Sequence, residues 1–324
     1  MNIKIIGTGS AVPKLRVTND DLSKMMDTSD EWIKSRTGIR ARHLAVEEST
    51  TTLAVDAARA ALNMAGVTAG ELDIIISATV TQDRLLPNLS CELQAALGAD
   101  RAFAFDINAA CSGFLYALNL VRMYLSSGRY KTALILGAET LSKIMDWNDR
   151  STCVLFGDGA GAAVIRAFEE DEKSGVLAAL QGSDGGKGMV LNCRNRPLNN
   201  PYVDHGNEVP YVHMNGQEVY KFAVRTVPKA VAQVVEEAGM SMDEIDLFLL
   251  HQANYRIIEA AAKRLGQPME KFPTNLQECG NISAASVPIL LDEVNRRGMI
   301  KKGDKIVLAG FGAGLTWGAA LLIW

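Results

Sequence analysis

The chain has 324 residues, a formal net charge of −4, 48% hydrophobic residues and 22% charged ones. That length builds one large core or two fused halves, and the composition is that of a globular protein. A mildly acidic chain has no general attraction for nucleic acid or an anionic membrane, so any basic site must be local.

From the N-terminus, "NIKIIGTG" reads as a first strand, and its apolar run is too short for a signal sequence. "TTLAVDAARAALNMAG" has helical spacing, and "LDIIISATV", "FAFDIN", "TALILGAET" and "GAAVIRA" follow as strands. "YKFAVRTVPKAVAQVVEEAG" is a second amphipathic helix, after which come the strand-like "IDLFLLHQA" and "KIVLAGFGAG". This alternation predicts α/β layering. The terminal "WGAALLIW" falls far below the ~20 residues that a membrane helix needs. Cys91, Cys111, Cys153, Cys193 and Cys279 are scattered without a C-x-x-C pair. That disfavours a disulfide framework or a zinc site and suits a reducing cytoplasm.

Parts of the chain repeat. "AGVTAGELDIII", from Ala65, is echoed by "AGMSMDEIDLFL", from Ala238. Asn108 is echoed by Asn281 at the same spacing, and "KTALILGAE", from Lys131, by "KIVLAGFGA", from Lys305, at a spacing longer by a single position. Three landmarks at nearly one spacing point to an internal duplication and not to a solenoid, whose period is far shorter. The expected division is 1–170 and 171–324. On this reading Cys111 and Ala284 are equivalent, each after a strand and at the start of a helix, and only the first position carries a thiol.

A lone cysteine among small residues is more often a core filler than a nucleophile, and Cys91, Cys153, Cys193 and Cys279 are read that way. Cys111, in "DINAACSG", differs by its place. Unpaired N–H groups and the macrodipole at a helix start favour an anion, which should lower the thiol pKa and raise the thiolate fraction. The same N–H groups can stabilise an oxyanion. His251 closes "IDLFLLHQAN", where a buried strand meets a loop. That place suits proton transfer, although a single His there is usually structural. Asn281, in "CGNISAASVP", would by itself be read as an N-cap.

With "IIGTGSAVP", "TSDEWIKSRTGIR", "DINAACSGF", "FGDGAGAAV", "HQANYRII", "GNISAASVP" and "FGAGLTWG" in order, the chain resembles, end to end, the β-ketoacyl-acyl-carrier-protein synthase III family of the thiolase superfamily. The resemblance implies an α/β fold, a duplicated five-layer αβαβα sandwich, with the nucleophile in the N-terminal half and His and Asn in the C-terminal half. It implies a two-stage reaction. Cys111 takes the acyl group of an acyl-CoA primer; malonyl-acyl-carrier protein is then decarboxylated with help from His251 and Asn281, and its enolate attacks the acyl-cysteine. The N–H groups of Cys111 and Ala313 are the implied oxyanion hole. Trp32, Arg36, Arg150 and Asn254 are implied to hold CoA, and Leu86, Leu141, Phe156 and Phe311 to surround the acyl pocket. Arg256, Lys263 and Arg264 are implied to meet the acidic carrier protein, although taken alone they read as an ordinary solvated face. No metal or cofactor is implied, and a cytoplasmic homodimer without membrane or nucleic-acid partners is expected.

The chain departs from the family pattern in places. Leu86 stands where some relatives have Phe, Leu315 replaces an aromatic residue, and "FGAG" replaces a run of three glycines. The stretch 186–210 is longer than the family leads one to expect, and is placed over the CoA entrance or the dimer edge; His205 and Cys193 within it have no assigned role. "GTGSAV" and "GDGAGA" look like nucleotide-binding loops but lack the full G-x-G-x-x-G spacing or its βαβ context. Two other readings remain. A condensing enzyme or acyltransferase of secondary metabolism with another acceptor is disfavoured by the presence of both His251 and Asn281. A non-catalytic partner subunit is disfavoured by the presence of Cys111.

Overall fold

A computed structural model describes residues 2–169, 174–203 and 209–324. Two sheets form its centre. The first runs, strand beside strand, Asn2–Ala11, Asp158–Phe168, Thr132–Thr140, Ile74–Ala78 and Phe103–Ile107. The second runs Gly175–Ser183, Thr316–Ile323, Lys305–Gly312 and Leu247–Leu250. From its first-named strand each sheet has the same pairings in the same order: antiparallel, antiparallel, parallel. Asn2 and Gly175, Ile74 and Leu247, and Thr132 and Lys305 begin matched strands, each pair at the spacing that separates Ala65 from Ala238.

The second sheet stops one strand short. Where Phe103–Ile107 would be repeated, the chain forms the short helix Leu276–Cys279, so the turn bearing Ala284 does not follow a strand as expected. The terminal run forms the strand Thr316–Ile323, and Gly175–Ser183 is a strand that the sequence hides behind small residues.

Helices separate and flank the sheets, which gives the αβαβα order. Gly113–Ser126 and Ser286–Arg296 lie between them: Phe114, Leu118, Val121, Leu290 and Val294 share one core with Ile74, Ile76 and Ile135 of the first sheet and Leu247, Leu249 and Leu308 of the second. Thr50–Ala65 and Leu89–Leu97 cover the outer face of the first sheet, and Gly216–Glu237 and Tyr255–Leu265 that of the second. Each Leu, Ile or Phe taken fully out of water contributes about 1.5–3 kcal/mol. Strands covered on both faces accordingly read as unbroken apolar runs, and Thr132–Thr140 is buried along its whole length.

Local chemistry sets the helix ends. Ser49 and Thr52 form a capping box at the start of Thr50–Ala65, and Gly66 ends it at φ 63°. The inner face of that helix is alanine-rich, which lets the first strand press close. A Cβ on Gly9 would lie 2.2 Å from the Ala57 carbonyl oxygen, so the glycines of "GTG" serve packing. No described helix is long and apolar enough to cross a membrane.

Candidate active site

A cavity of about 970 Å³ opens where Phe103–Ile107 and Leu247–Leu250 end, and Cys111, His251 and Asn281 all line it. Cys111 is the middle residue of a tight turn, Ala110–Ser112, and the α-helix proper starts at Gly113, slightly later than expected. Ala110 has φ 45°, a left-handed conformation that costs a non-glycine residue roughly 1 kcal/mol. The Ser112 hydroxyl ties the turn down, donating to the Ala109 carbonyl at 2.8 Å and meeting Thr316 Oγ1 at 2.7 Å. Two glycines of Lys305–Gly312 make room beside it. A Cβ on Gly312 would lie 2.6 Å from Cys111 N, and one on Gly310 would lie 3.5 Å from both Cys111 O and His251 Cβ. Cys111 and His251 are thus close neighbours across a single glycine. Ala313 and Gly314 continue the cavity wall next to the Cys111 N–H.

The expected lowering of the thiol pKa is overturned. Burial pushes Cys111 up to about 11; the Ser283 hydroxyl opposes the rise and the Glu139 carboxylate adds to it. The loss of water around a buried thiolate outweighs the helix start. The sulfur is therefore a neutral thiol at rest.

His251 extends the strand before it, its N–H donating to Ala309 O at 2.8 Å. Its ring stands edge-on to Phe311 with centroids 5.4 Å apart. Burial pushes its pKa down to about 3, so the imidazole is neutral. Nδ1 is buried without a partner among the described residues. Such an orphan costs about 1–3 kcal/mol. Asn281 is held by a bridge to Phe156: its N–H donates to Leu155 O at 2.9 Å, and its carbonyl accepts from Gly157 N at 3.0 Å. Its side-chain Oδ1 accepts the Ser283 N–H at 2.9 Å, which fixes the amide and leaves its NH2 as the donor end. Among the described residues, no group of three or more His, Cys, Asp or Glu could hold a metal ion.

Leu141, Phe156 and Phe311 line the cavity, joined by Ile144 and Val212. Leu86 does not. It is 84% exposed on the loop before Leu89–Leu97; its neighbour Leu85 borders the cavity while being 77% exposed. Of the stretch 186–210, Leu191–Cys193 pairs with Val212–Met214, and Leu191, Asn192, Cys193, Arg194 and Pro210 line the cavity. His205 lies outside the described residues.

Trp32, Arg36 and Arg150 come together away from the cavity wall. The Arg36 and Arg150 guanidinium carbons lie 4.6 and 5.1 Å from the Trp32 ring centroid, and Arg150 also pairs with Asp27 at 3.1 Å. Asn254 lines the cavity, but both ends of its amide are engaged: Oδ1 caps the helix by accepting Arg256 N–H at 2.9 Å, and Nδ2 donates to Arg36 O at 3.0 Å. It couples the Trp32 cluster to the cavity. Arg256, Lys263 and Arg264 are exposed on one helix. Arg256 donates to Ser35 O at 2.6 Å and Arg264 to Val224 O at 2.7 Å, so these two also brace neighbouring helices.

Sequence reasoning missed Glu139 and Ser283. Glu139 is the last residue but one of the fully buried strand Thr132–Thr140, and Ser283 lines the cavity at φ 45°. An acid at the end of an otherwise apolar strand was the available signal, because buried carboxylates are rare without a role.

The layered fold and the placement of this cavity put the chain in the class of thiolase-fold acyltransferases. Residues 105–185 match the family described as 3-oxoacyl-[acyl-carrier-protein (ACP)] synthase III, and residues 235–324 match its C-terminal counterpart. The chain is 51% identical over 323 residues to a beta-ketoacyl-[acyl-carrier-protein] synthase III of Clostridium perfringens, with 99% of each chain covered. The solved structure of the 3-oxoacyl-[acyl-carrier-protein] synthase III from Aquifex aeolicus is similar at a TM-score of 0.92 and 46% identity, covering 99% of this chain and 100% of that one. A priming β-ketosynthase of a polyketide biosynthetic pathway is similar at a TM-score of 0.92 and 35% identity, covering 99% and 96%. The chain belongs to the β-ketoacyl-acyl-carrier-protein synthase III family.

Proposed function

We propose that the chain condenses an acyl-CoA primer with malonyl-acyl-carrier protein, releasing CO2 and CoA and forming 3-oxoacyl-acyl-carrier protein. The observation that carries this is the meeting of Cys111, His251 and Asn281 in one cavity. Cys111 attacks the primer thioester, and the N–H groups of Cys111 and Ala313 receive the oxyanion. CoA leaves and the malonyl thioester takes its place. Loss of CO2 creates an enolate, whose oxygen accepts hydrogen bonds from the neutral imidazole of His251 and the fixed amide of Asn281. Neutral donors stabilise that oxygen without an isolated charge being buried beforehand. The enolate carbon attacks the acyl carbon and expels the Cys111 sulfur. No metal or redox cofactor is needed for these steps.

The Trp32 cluster is the adenine and phosphate end of the CoA site, with Asn254 between it and the reacting atoms. Leu141, Phe156 and Phe311 receive the acyl chain. Arg256 and Lys263 on the exposed helix meet the acidic carrier protein, with Arg264 at its end. The chain works as a cytoplasmic homodimer. Among the described residues Phe103–Ile107 has a strand partner on one side only, and the Phe103, Phe105, Tyr124 and Tyr130 rings cluster there. An open, aromatic-rich edge pairs readily with a second copy about a two-fold axis. The division at 1–170 and 171–324 separates the thiol from its His and Asn partners, so the site forms between the halves. The likeness to a polyketide-priming synthase supports a second reading, in which the product enters a specialised pathway.

Intact-mass spectrometry after mixing with competing acyl-CoA primers tests the reading. One acyl adduct, absent from Cys111→Ser and discharged by malonyl-acyl-carrier protein, is expected; an adduct that malonyl-acyl-carrier protein never discharges would sink the acceptor assignment.

A further inference from the structure

One buried carboxylate beside the nucleophile is left unused by the steps above. Glu139 is 0% exposed, and its Oε2 accepts from Val80 N at 3.1 Å, from Thr79 Oγ1 at 3.3 Å and from the Thr81 hydroxyl. Its Oε1 is buried and has no aligned partner among the described residues. With Oε2 saturated by donors, a proton arriving at this carboxylate settles on Oε1. The turn Ser283–Ala285 packs against both the strand that carries Glu139 and the turn that carries Cys111, and Ser283 lines the cavity with Cys111. The Ser283 hydroxyl forms a hydrogen bond to neither group in the resting chain, so the relay closes only as the thiol reacts. A hydroxyl can donate and accept at once, which is what a proton relay needs.

We propose that Glu139, acting through Ser283, stores the Cys111 proton for as long as the cysteine carries the acyl group. The proposal rests on Cys111 being the acyl acceptor. As the Sγ–acyl bond forms and the acyl–CoA sulfur bond breaks, the thiol proton passes to Ser283 Oγ and the serine's own proton passes to Glu139 Oε1. CoA departs as a thiolate and takes its proton from water. When the enolate carbon later expels the Cys111 sulfur, Glu139 returns the proton by the same route and the resting thiol is restored. Storage also removes a negative charge from beside the enolate, where a carboxylate would oppose it.

Among the described residues, no other carboxylate or imidazole of the cavity takes this part; Asp106 lines it too, but accepts from Leu89 N and Ser90 N, each at 2.8 Å. His251, in the same cavity, is a much weaker base because burial holds its pKa near 3. Lys143 is engaged with Gln82 O at 3.2 Å and Asp83 at 3.3 Å, and Asp158 with Ala45 N and Ser142. Burial raises Glu139 to about 7, with Thr81, Val80, Ser283 and Thr79 opposing the rise. The relay needs an ionised Glu139, so acylation should slow as pH falls through that value.

The test is the single-turnover rate of acyl-Cys111 formation from acyl-CoA, read by intact mass from about pH 5 to about pH 9. The unaltered chain, Glu139→Gln and Ser283→Ala are compared. The glutamine keeps an oxygen for the three donors, and Ser283→Ala leaves the Glu139 cradle intact should the first variant fold poorly. Both variants are expected to acylate roughly 10- to 100-fold more slowly at high pH and to lose the rise near neutrality. A folded variant with the unaltered rate and the unaltered pH profile overturns the relay. Absence of any Cys111 adduct in the unaltered chain overturns the underlying acyl-acceptor reading, a distinct result.

Discussion

The turns Ala110–Ser112 and Ser283–Ala285 use one backbone device twice. Each begins with a non-glycine residue at φ 45° and feeds a helix running between the sheets. Each is met by a glycine of a neighbouring strand, Gly310 near Cys111 O and Gly137 against Ala284 O. They differ two residues further along those strands. Gly312 leaves space at Cys111 N, whereas its counterpart in the first half, at the spacing of the repeat, is Glu139. Ala284 is sealed against Gly113 and Gly137, while Cys111 faces the cavity. The repeated backbone supplies packing, and the chemistry comes from the positions where the repeat is broken.

Moving the thiol breaks the comparison most directly. Cys111→Ala should lower turnover by about 10³-fold or more and abolish the acyl adduct. Adding Ala284→Cys should restore neither, because Ala284 packs against Gly113 and Gly137 and does not line the cavity; adduct mass on the double variant would show the two turns to be interchangeable. Gly312→Ala attacks the difference from the other side. Its new Cβ would sit 2.6 Å from Cys111 N, and the shift this forces should slow acylation about 10²-fold. Gly70→Ala, whose Cβ meets nothing within 4 Å, is the control and should acylate normally.

Asn281 and Asn108 occupy matched positions and each side-chain oxygen accepts the N–H two residues on, but Asn281 is buried at the cavity and Asn108 is exposed. Asn281→Ala should slow condensation about 10²-fold while acylation stays within a few-fold of normal. Equal losses in both half-reactions, followed by intact mass and product formation, would instead mean that Asn281 only holds the cavity in shape.

The layering and the repeat were legible because buried strands are continuous apolar runs and a duplication keeps its spacing. Cys111, His251 and Asn281 were legible through their motifs. The thiol's pKa was not, since burial depends on what packs over the turn from the other half. Leu86 and Leu85 could not be told apart, because a loop without periodicity does not say which of two exposed side chains borders a cavity. Glu139 escaped notice because its neighbours, Thr79, Thr81 and Ser283, come from separate segments that only the fold assembles.

The last difference between the two regions is in their response to acid. His251 has a folded pKa near 3, well below its ordinary value of about 6.5, so the unfolded chain binds more protons between those values. Its stabilising contribution is lost as pH falls below about 6.5. Glu139 has the opposite sign. Its folded pKa near 7 lies above the ordinary carboxylate range, so the folded chain binds the extra proton and gains stability as pH falls from about 7 toward 4.5. Between pH 7 and pH 5 each effect amounts to about 2 kcal/mol, and in the unaltered chain they nearly cancel. Denaturant unfolding at the two pH values should separate them. Relative to the unaltered chain, His251→Gln should be more acid-resistant by about that amount and Glu139→Gln more acid-sensitive. A variant whose acid response matches that of the unaltered chain would mean that the group it lacks titrates normally.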